Sequence, residues 1–155
     1  MFGSLFYPPL NMNQYFVTSQ NLSHNLAMKI ISIALLKSKE IGLPISIAVV
    51  DSQTTLVGFV KTDGSTFHSA ITSKKKAVTA ASTKKQTGWM NESLSISLPM
   101  ASDNVLTNIF GGFPITLDNK VIGAFGISGG TVEQDKEIGE YVLEEVKMIL
   151  KKSEK

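Results

Sequence analysis

The chain has 155 residues, of which 43% are hydrophobic and 18% are charged, and this size and composition predict one globular domain. It contains no cysteine, which excludes disulfide bonds, thiolate metal sites and thiol nucleophiles. Because its 15 basic residues are all lysine and its net charge is only +2, we expect no binding of nucleic acid.

Residues 1–17 combine aromatic residues with prolines and show neither a helical nor an alternating period, so we predict an irregular N-terminal arm. This segment lacks the basic and apolar regions of a signal peptide, and we expect a cytoplasmic location. Residues 18–155 are predicted to form a single domain. Its longest strongly apolar helical run, 30–36, lies between Lys29 and Lys37 and is too short to span a membrane.

The first predicted helix has Thr18 or Ser19 as its cap and runs to about Ile41, where Gly42 stops it. Leucine, isoleucine and alanine side chains recur along one face of this segment with the spacing of an amphipathic helix. We therefore expect this face to pack against the core.

Two β-branched runs, 45–50 and 56–60, flank a polar turn and predict an antiparallel hairpin. Asp63 and Gly64 then turn the chain again. Small and apolar residues recur with helical spacing over 66–85. This spacing predicts a second helix whose alanines let it pack closely against a neighbour.

The segment 86–108 is rich in serine, asparagine and threonine and contains the only tryptophan, so we predict a long irregular connection with about one helical turn. A second hairpin, 112–117 with 121–128, and a final helix over 131–152 complete the chain. This order of elements predicts an α+β fold in which helices face an antiparallel sheet.

The glycine-rich junction 123–130 lies between the last predicted strand and the last predicted helix, a context typical of phosphate-binding loops. Its glycine spacing matches no phosphate-binding motif, and Thr131 with Gln134 fits a helix capping box. We therefore interpret the junction as a structural helix cap.

The remaining charged residues are interpreted structurally. The lysines 74–76, Lys84 and Lys85 predict a solvated helix, since successive helical residues point about 100° apart and the triplet cannot form one binding face. Asp51 and Asp63 each precede a turn, where an aspartate commonly bonds its own backbone. Two histidines far apart in the sequence, without cysteine, predict no zinc site.

Five ordered blocks form a more specific pattern: GLPISIAVVD at 42–51, LVGFVKTDG at 56–64, KAVTAA at 76–81, GGFPI at 111–115 and GAFGISGGTVEQD at 123–135. Together they resemble the GlcG-like, haem-degrading domain family, which includes HbpS and the C-terminal domain of PduO-type corrinoid adenosyltransferases. The resemblance covers residues from about 20 to 150. It implies a profilin-like fold, an antiparallel sheet flanked by helices on both faces, and assembly into a homo-oligomer, a dimer or higher.

The resemblance also implies a small-ligand pocket that takes haem or a related tetrapyrrole. On that interpretation a histidine is the axial ligand, a lysine pairs with a propionate and an aromatic ring offers flat apolar contact. The residues predicted for these roles are His24, His68, Lys61, Lys76, Phe67 and Trp89. Lys61 stands where the family has arginine, so a bidentate contact with a carboxylate is lost.

Two other functions remain open. The chain could be an enzyme that acts on a small carboxylate or carbonyl substrate beside Asp63, His68 and Lys76, with His68 as the acid or base. It could instead be an interaction module without catalysis, whose apolar surface patch is covered by oligomerisation or by another protein. The first predicts stabilisation by substrate without a coloured cofactor, and the second predicts a stable assembly without any ligand.

Overall fold

The computed structural model describes residues 15–153. Their elements in chain order are α1 (His24–Glu40), β1 (Ser46–Asp51), β2 (Leu56–Lys61), α2 (Ser69–Thr83), α3 (Glu92–Ala101), β3 (Gly112–Leu117), β4 (Lys120–Ser128) and α4 (Val132–Ser153). Residues 15–17 of the predicted arm form no helix or strand, and the rest of that arm lies outside the described residues. None of the helices within 15–153 is long and apolar enough to cross a membrane.

The strands form one antiparallel sheet in the order β2-β1-β4-β3. Both predicted hairpins are confirmed, and each strand begins and ends within one residue of its predicted bounds. Ser46 pairs with Lys61 on one side and with Ser128 on the other. The start of β1 and the ends of β2 and β4 therefore meet at one end of the sheet, which positions the site described below.

Local backbone and side-chain chemistry explains the two hairpin turns. Asp118 and Asn119 have φ angles of 48° and 60°, as in the type I′ turn that suits twisted strands. The Asp51 carboxylate accepts hydrogen bonds from the backbone N–H groups of Gln53 and Thr55, both at 2.9 Å. The turn role predicted for Asp51 is thus confirmed.

Helices cover both faces of the sheet. On one face α1 and α4 pack over a large core in which the rings of Phe113 and Phe125 stack with centroids 5.3 Å apart. On the other face α2 packs over small side chains, and the buried cluster there consists of Ala48, Val50, Ala77, Ala80, Ala81 and Ala124. The predicted α+β fold, with an antiparallel sheet between helices, is confirmed.

α1 begins later than the sequence pattern predicted. Its cap is Ser23, whose hydroxyl accepts a hydrogen bond from the first turn of the helix at 3.3 Å, rather than Thr18 or Ser19. Before the cap, Leu22 is buried and its N–H donates to the carbonyl of Ile122 at 2.8 Å. This contact holds the chain before the cap beside β4, so that it cannot join the helix. The end of α1 at Glu40 agrees with the prediction.

A ten-residue helix, α3, lies within the predicted irregular connection 86–108, so the expectation of about one turn is wrong. Asn91 caps this helix by accepting a hydrogen bond from the Leu94 N–H at 2.9 Å. No residue of α3 is buried, and Pro99 lies in its last turn. The helix therefore lacks the periodic apolar face from which helices are predicted.

Candidate functional site

We call residues 62–68, which join β2 to α2, the β2–α2 loop. Thr62 fixes its start, since the Thr62 hydroxyl donates to the Ile45 carbonyl at 2.9 Å and accepts from the Ile45 N–H at 2.8 Å. The hydroxyl and the N–H of Ser65 donate to the Thr62 carbonyl at 2.9 and 3.2 Å. A hydrogen-bonded turn therefore supports the rest of the loop.

The loop ends in two exposed side chains, Phe67 and His68. The Phe67 side chain is 86% exposed, so most of its apolar ring faces solvent. His68 is the cap residue of α2, and its imidazole makes no hydrogen bond to any residue that the structure describes. The next residue, Ser69, is buried and shares a 2.8 Å hydrogen bond with the Ser46 hydroxyl. A fixed backbone thus presents an imidazole whose two nitrogens bond none of residues 15–153.

Two charged residues belong to the same stretch of chain. Lys61 is exposed, and its ammonium donates to the Ser65 carbonyl at 2.9 Å, which leaves two further donors. Asp63 occupies the predicted turn with Gly64, whose φ is 80°, and its carboxylate makes no hydrogen bond within residues 15–153. The loop and the strand end before it therefore bring together four of the predicted site residues: Lys61, Asp63, Phe67 and His68.

His24 lies far from this loop. It opens α1 just after Leu22, which bonds Ile122 towards the other end of β4. The β2–α2 loop lies at the other end of α1, where Thr62 and Asp63 line a groove together with residues of the segment 35–44. The 17 residues of α1, at about 1.5 Å per residue, separate the two histidines by roughly 25 Å. One iron cannot be ligated by both.

Trp89 lies towards the opposite edge of the sheet. The nearby Thr87 donates its N–H to the Gly112 carbonyl at 3.0 Å, and its hydroxyl accepts from the Gly112 N–H at 2.9 Å, which ties this segment to β3. Because strands lie about 4.8 Å apart, three spacings place the segment roughly 14 Å from β2. The Lys85 ammonium covers the Trp89 ring at 4.2 Å from its centroid. The structure does not bring Trp89 together with Phe67.

Lys76 is buried, so the prediction of a solvated face is wrong for this lysine. Its side chain is 1% exposed, and its ammonium donates to Asp135 Oδ2 at 2.6 Å and to the Ile127 carbonyl at 2.8 Å. The other Asp135 oxygen accepts from the Gly130 N–H at 3.0 Å. Since α2 and α4 cover opposite faces, this ion pair joins the two helical layers at the end of the sheet.

This ion pair limits what Lys76 can do. Its ammonium cannot meet a propionate, or a substrate beside Asp63 and His68, without leaving Asp135 unpaired. The three residues predicted for an enzyme are thus not assembled. The physical reason is helical geometry: side chains 74–76 point about 100° apart, so one of them faces the sheet.

Burial is the largest influence on the pKa values of both members of this ion pair. It lowers the pKa of the Lys76 ammonium, and the charge of Asp135 opposes that shift. Burial raises the pKa of the Asp135 carboxyl, whereas the Lys76 charge and the hydrogen bonds from the amides of Gly130 and Gly129 lower it. Sequence analysis missed Asp135. Its spacing in the sequence could have indicated its burial, because Asp135 lies about one helical turn before Ile138, on the buried face of α4.

The glycine-rich junction serves the fold. The Thr131 hydroxyl accepts from the Gln134 N–H at 3.3 Å, and the Gln134 side-chain oxygen accepts from the Thr131 N–H at 2.9 Å, so the predicted capping box is confirmed. The Gly130 N–H is already taken by Asp135. Over the described range 15–153, no three histidine, aspartate or glutamate side chains group as metal ligands.

Comparisons of the sequence with known proteins relate this chain to one family. A family model described as haem-degrading protein HbpS-like matches residues 22–144. An uncharacterised 15.0 kDa protein from the dhaT–dhaS intergenic region of Citrobacter freundii is 32% identical over 113 residues, which cover 70% of this chain and 80% of that protein. Protein GlcG of Escherichia coli strain K12 is 30% identical over 108 residues, which cover 69% and 81%.

Solved structures have the same fold. Klebsiella pneumoniae protein ORFY superposes with a TM-score of 0.79 at 24% identity, covering 90% of this chain and 98% of that one. PduOC, solved as a complex with haem, superposes with a TM-score of 0.75 at 24% identity, covering 79% and 93%. At these identities the likeness shows the fold alone.

Proposed function

This chain belongs to the HbpS-like family of haem-degrading proteins, and on that premise we propose that it binds haem or a related tetrapyrrole at the β2–α2 loop. His68 is the proposed axial ligand, and Phe67 is the proposed apolar contact. The complex that the structural relative PduOC forms with haem supports this class of ligand.

One observation carries the proposal: a free imidazole and an exposed phenyl ring are adjacent on a loop whose backbone is hydrogen-bonded in place. Neutral imidazole is a common ligand of haem iron. The phenyl ring of Phe67, 86% exposed, offers flat apolar area to a macrocycle. His24 is also exposed, but its chain neighbours Ser23 and Asn25 are polar and offer no such ring. We therefore assign the ligand to His68.

The residues present fit haem in chemical type, since an imidazole, an aromatic ring and a cation lie within one short stretch of chain. Bound haem would supply an iron centre that accepts and donates one electron. His68 would hold this iron through one ring nitrogen, and Phe67 would exclude water beside it. The Lys61 ammonium, steadied by the Ser65 carbonyl, would meet a propionate as a point charge.

Titration of the purified chain with haem, followed by the Soret band, tests this assignment. We expect saturation near one haem per chain, and we expect His68→Ala to weaken binding about tenfold or more and to remove the spectrum of histidine ligation. The matched control is His24→Ala, which removes another exposed imidazole at a helix start and should titrate like the wild type. An unchanged spectrum in His68→Ala, or a loss seen only in His24→Ala, would contradict the assignment.

Self-association, which the family resemblance implies, is a separate part of the proposal. We expect light scattering of the purified chain to give a dimer or a higher multiple of the 16.8 kDa chain mass. A mass of one chain across the accessible concentration range would contradict it.

A further inference from the structure

A cleft of about 510 Å³ lies between α2 and the chain around α3. Thr72 and Lys75 line it from α2, while Pro99, Leu106 and Ile109 supply apolar surface opposite. Among the described residues, no acidic side chain lines this cleft. Its lining therefore carries one positive charge, with apolar surface at Pro99, Leu106 and Ile109 among neutral polar side chains. This combination suits a ligand that has a carboxylate on an apolar body.

The wall opposite α2 is held in place by side-chain hydrogen bonds. The Thr107 N–H donates to the Thr79 hydroxyl of α2 at 2.9 Å. The Asn108 side chain bonds the backbone of Met90 in both directions, accepting from its N–H at 3.0 Å and donating to its carbonyl at 3.1 Å. These hydrogen bonds make the cleft a feature of the fold.

Lys75 differs from the other two lysines within α2. The Lys74 ammonium lies 4.4 Å from the centroid of the Phe59 ring, and the Lys76 ammonium is paired with Asp135. Lys75 is half-buried, and its ammonium has no ion-pair or hydrogen-bond partner within the described part of the chain. A half-buried cation without a partner is a natural site for an anion.

Helical geometry places this cation on the same face of α2 as His68. Residues 68, 72 and 75 follow the i, i+4, i+7 spacing of one helical face. Thr72 is tied to the start of this row, since its N–H and its hydroxyl both donate to the His68 carbonyl, at 2.9 and 3.1 Å. The rise from His68 to Lys75 is about 10 Å, and side chains on a helix tilt towards its N-terminus. This direction would let the Lys75 side chain reach back towards His68.

We propose that the cleft receives a carboxylate arm of the ligand held at His68, with the Lys75 ammonium as its ion-pair partner. This inference rests on the haem site proposed above. It adds Lys75 to Lys61 as a second carboxylate partner, in the place of Lys76, which is paired with Asp135. The apolar wall at Leu106 and Ile109 then contacts the edge of the macrocycle from which the carboxylate extends.

The test compares the affinities of haem and of haem dimethyl ester, whose carboxylates are blocked. We expect Lys75→Gln to weaken haem binding about three- to tenfold and to leave binding of the dimethyl ester unchanged. Lys74→Gln removes the same charge from the adjacent residue and should behave like the wild type with both ligands. Melting curves of both variants should overlap that of the wild type.

The outcomes separate this inference from the site on which it rests. If the wild type binds haem through His68 and Lys75→Gln binds haem equally well, Lys75 is not the partner and the haem site stands. If Lys75→Gln weakens haem and dimethyl ester alike, its effect is not on a carboxylate. If the wild type shows no His68-dependent Soret shift, the haem site fails and the inference fails with it.

Discussion

Asp135→Asn should lower the free energy of unfolding by about 3–5 kcal/mol. The Asp135 carboxylate has two acceptor oxygens in use, one for the Lys76 ammonium and one for the Gly130 N–H. An asparagine keeps only one acceptor and turns a donor towards the other group. It also removes the negative charge that compensates the buried Lys76 ammonium. An uncompensated buried charge accounts for most of the cost when a buried ion pair is broken. Chemical denaturation followed by circular dichroism measures this loss.

The loss should depend on pH with a defined sign. Burial already lowers the pKa of Lys76 below its ordinary 10.5, and removal of the Asp135 charge lowers it further. Between that lowered pKa and 10.5 the folded variant binds fewer protons than the unfolded chain, so its stability rises with pH. The Lys76 pKa is lowered less in the wild type, so the wild-type stability rises over a narrower pH range. The difference in free energy of unfolding between Asp135→Asn and the wild type should therefore shrink as the pH rises towards 10.5.

Two controls test whether the buried position causes this effect. Lys147→Gln breaks the ion pair with Glu144, which has the same 2.6 Å length but is exposed, and should change stability by less than about 0.5 kcal/mol. The double variant Lys76→Met with Asp135→Leu should recover the part of the loss that comes from the unpaired ammonium, because it leaves no charge buried. A cost below about 1 kcal/mol for Asp135→Asn would contradict the buried pair.

Gly126→Ala should destabilise the fold by about 3 kcal/mol or more, because α2 packs directly on this glycine. A Cβ atom there would lie 2.2 Å from the Ser73 carbonyl oxygen and 2.6 Å from the Ala77 nitrogen. Both atoms belong to the backbone of α2, so the helix as a whole would have to move away from the sheet. Since α2 carries His68 at its start, we also expect weaker haem binding.

Gly42→Ala provides the matched control for this prediction. Gly42 has a φ of 67°, and a Cβ atom there would meet nothing within 4 Å. Its substitution should cost only the strain of a left-handed alanine, about 1–2 kcal/mol. If denaturation shows Gly126→Ala to be no less stable than Gly42→Ala, the close packing of α2 on β4 is wrong.

Local chemistry made much of the fold predictable. The second hairpin was predicted almost to the residue because Asp118 and Asn119 adopt the positive φ angles that a tight turn needs. The family resemblance, drawn from five blocks, is confirmed by the match over residues 22–144. In both cases the information lies in short stretches of sequence that do not depend on distant contacts.

Features that depend on distant contacts were not predictable. The start of α1 is set by a hydrogen bond from Leu22 to Ile122, a hundred positions further along the chain. The burial of Lys76 depends on which side of α2 faces the sheet and on Asp135 from the opposite layer. The separation of Trp89 from Phe67 follows from the strand order. Each needs the tertiary topology, which spacing along one chain does not contain.

Mapping of backbone amide shifts by nuclear magnetic resonance, with the diamagnetic zinc protoporphyrin as ligand, tests the haem site most directly. The ring current of the porphyrin reports its position on the chain without reference to any variant. The account predicts the largest shifts within residues 61–75, centred on Phe67 and His68, and none around His24. Shifts centred on the start of α1, or no localised shifts at saturation, would contradict the site.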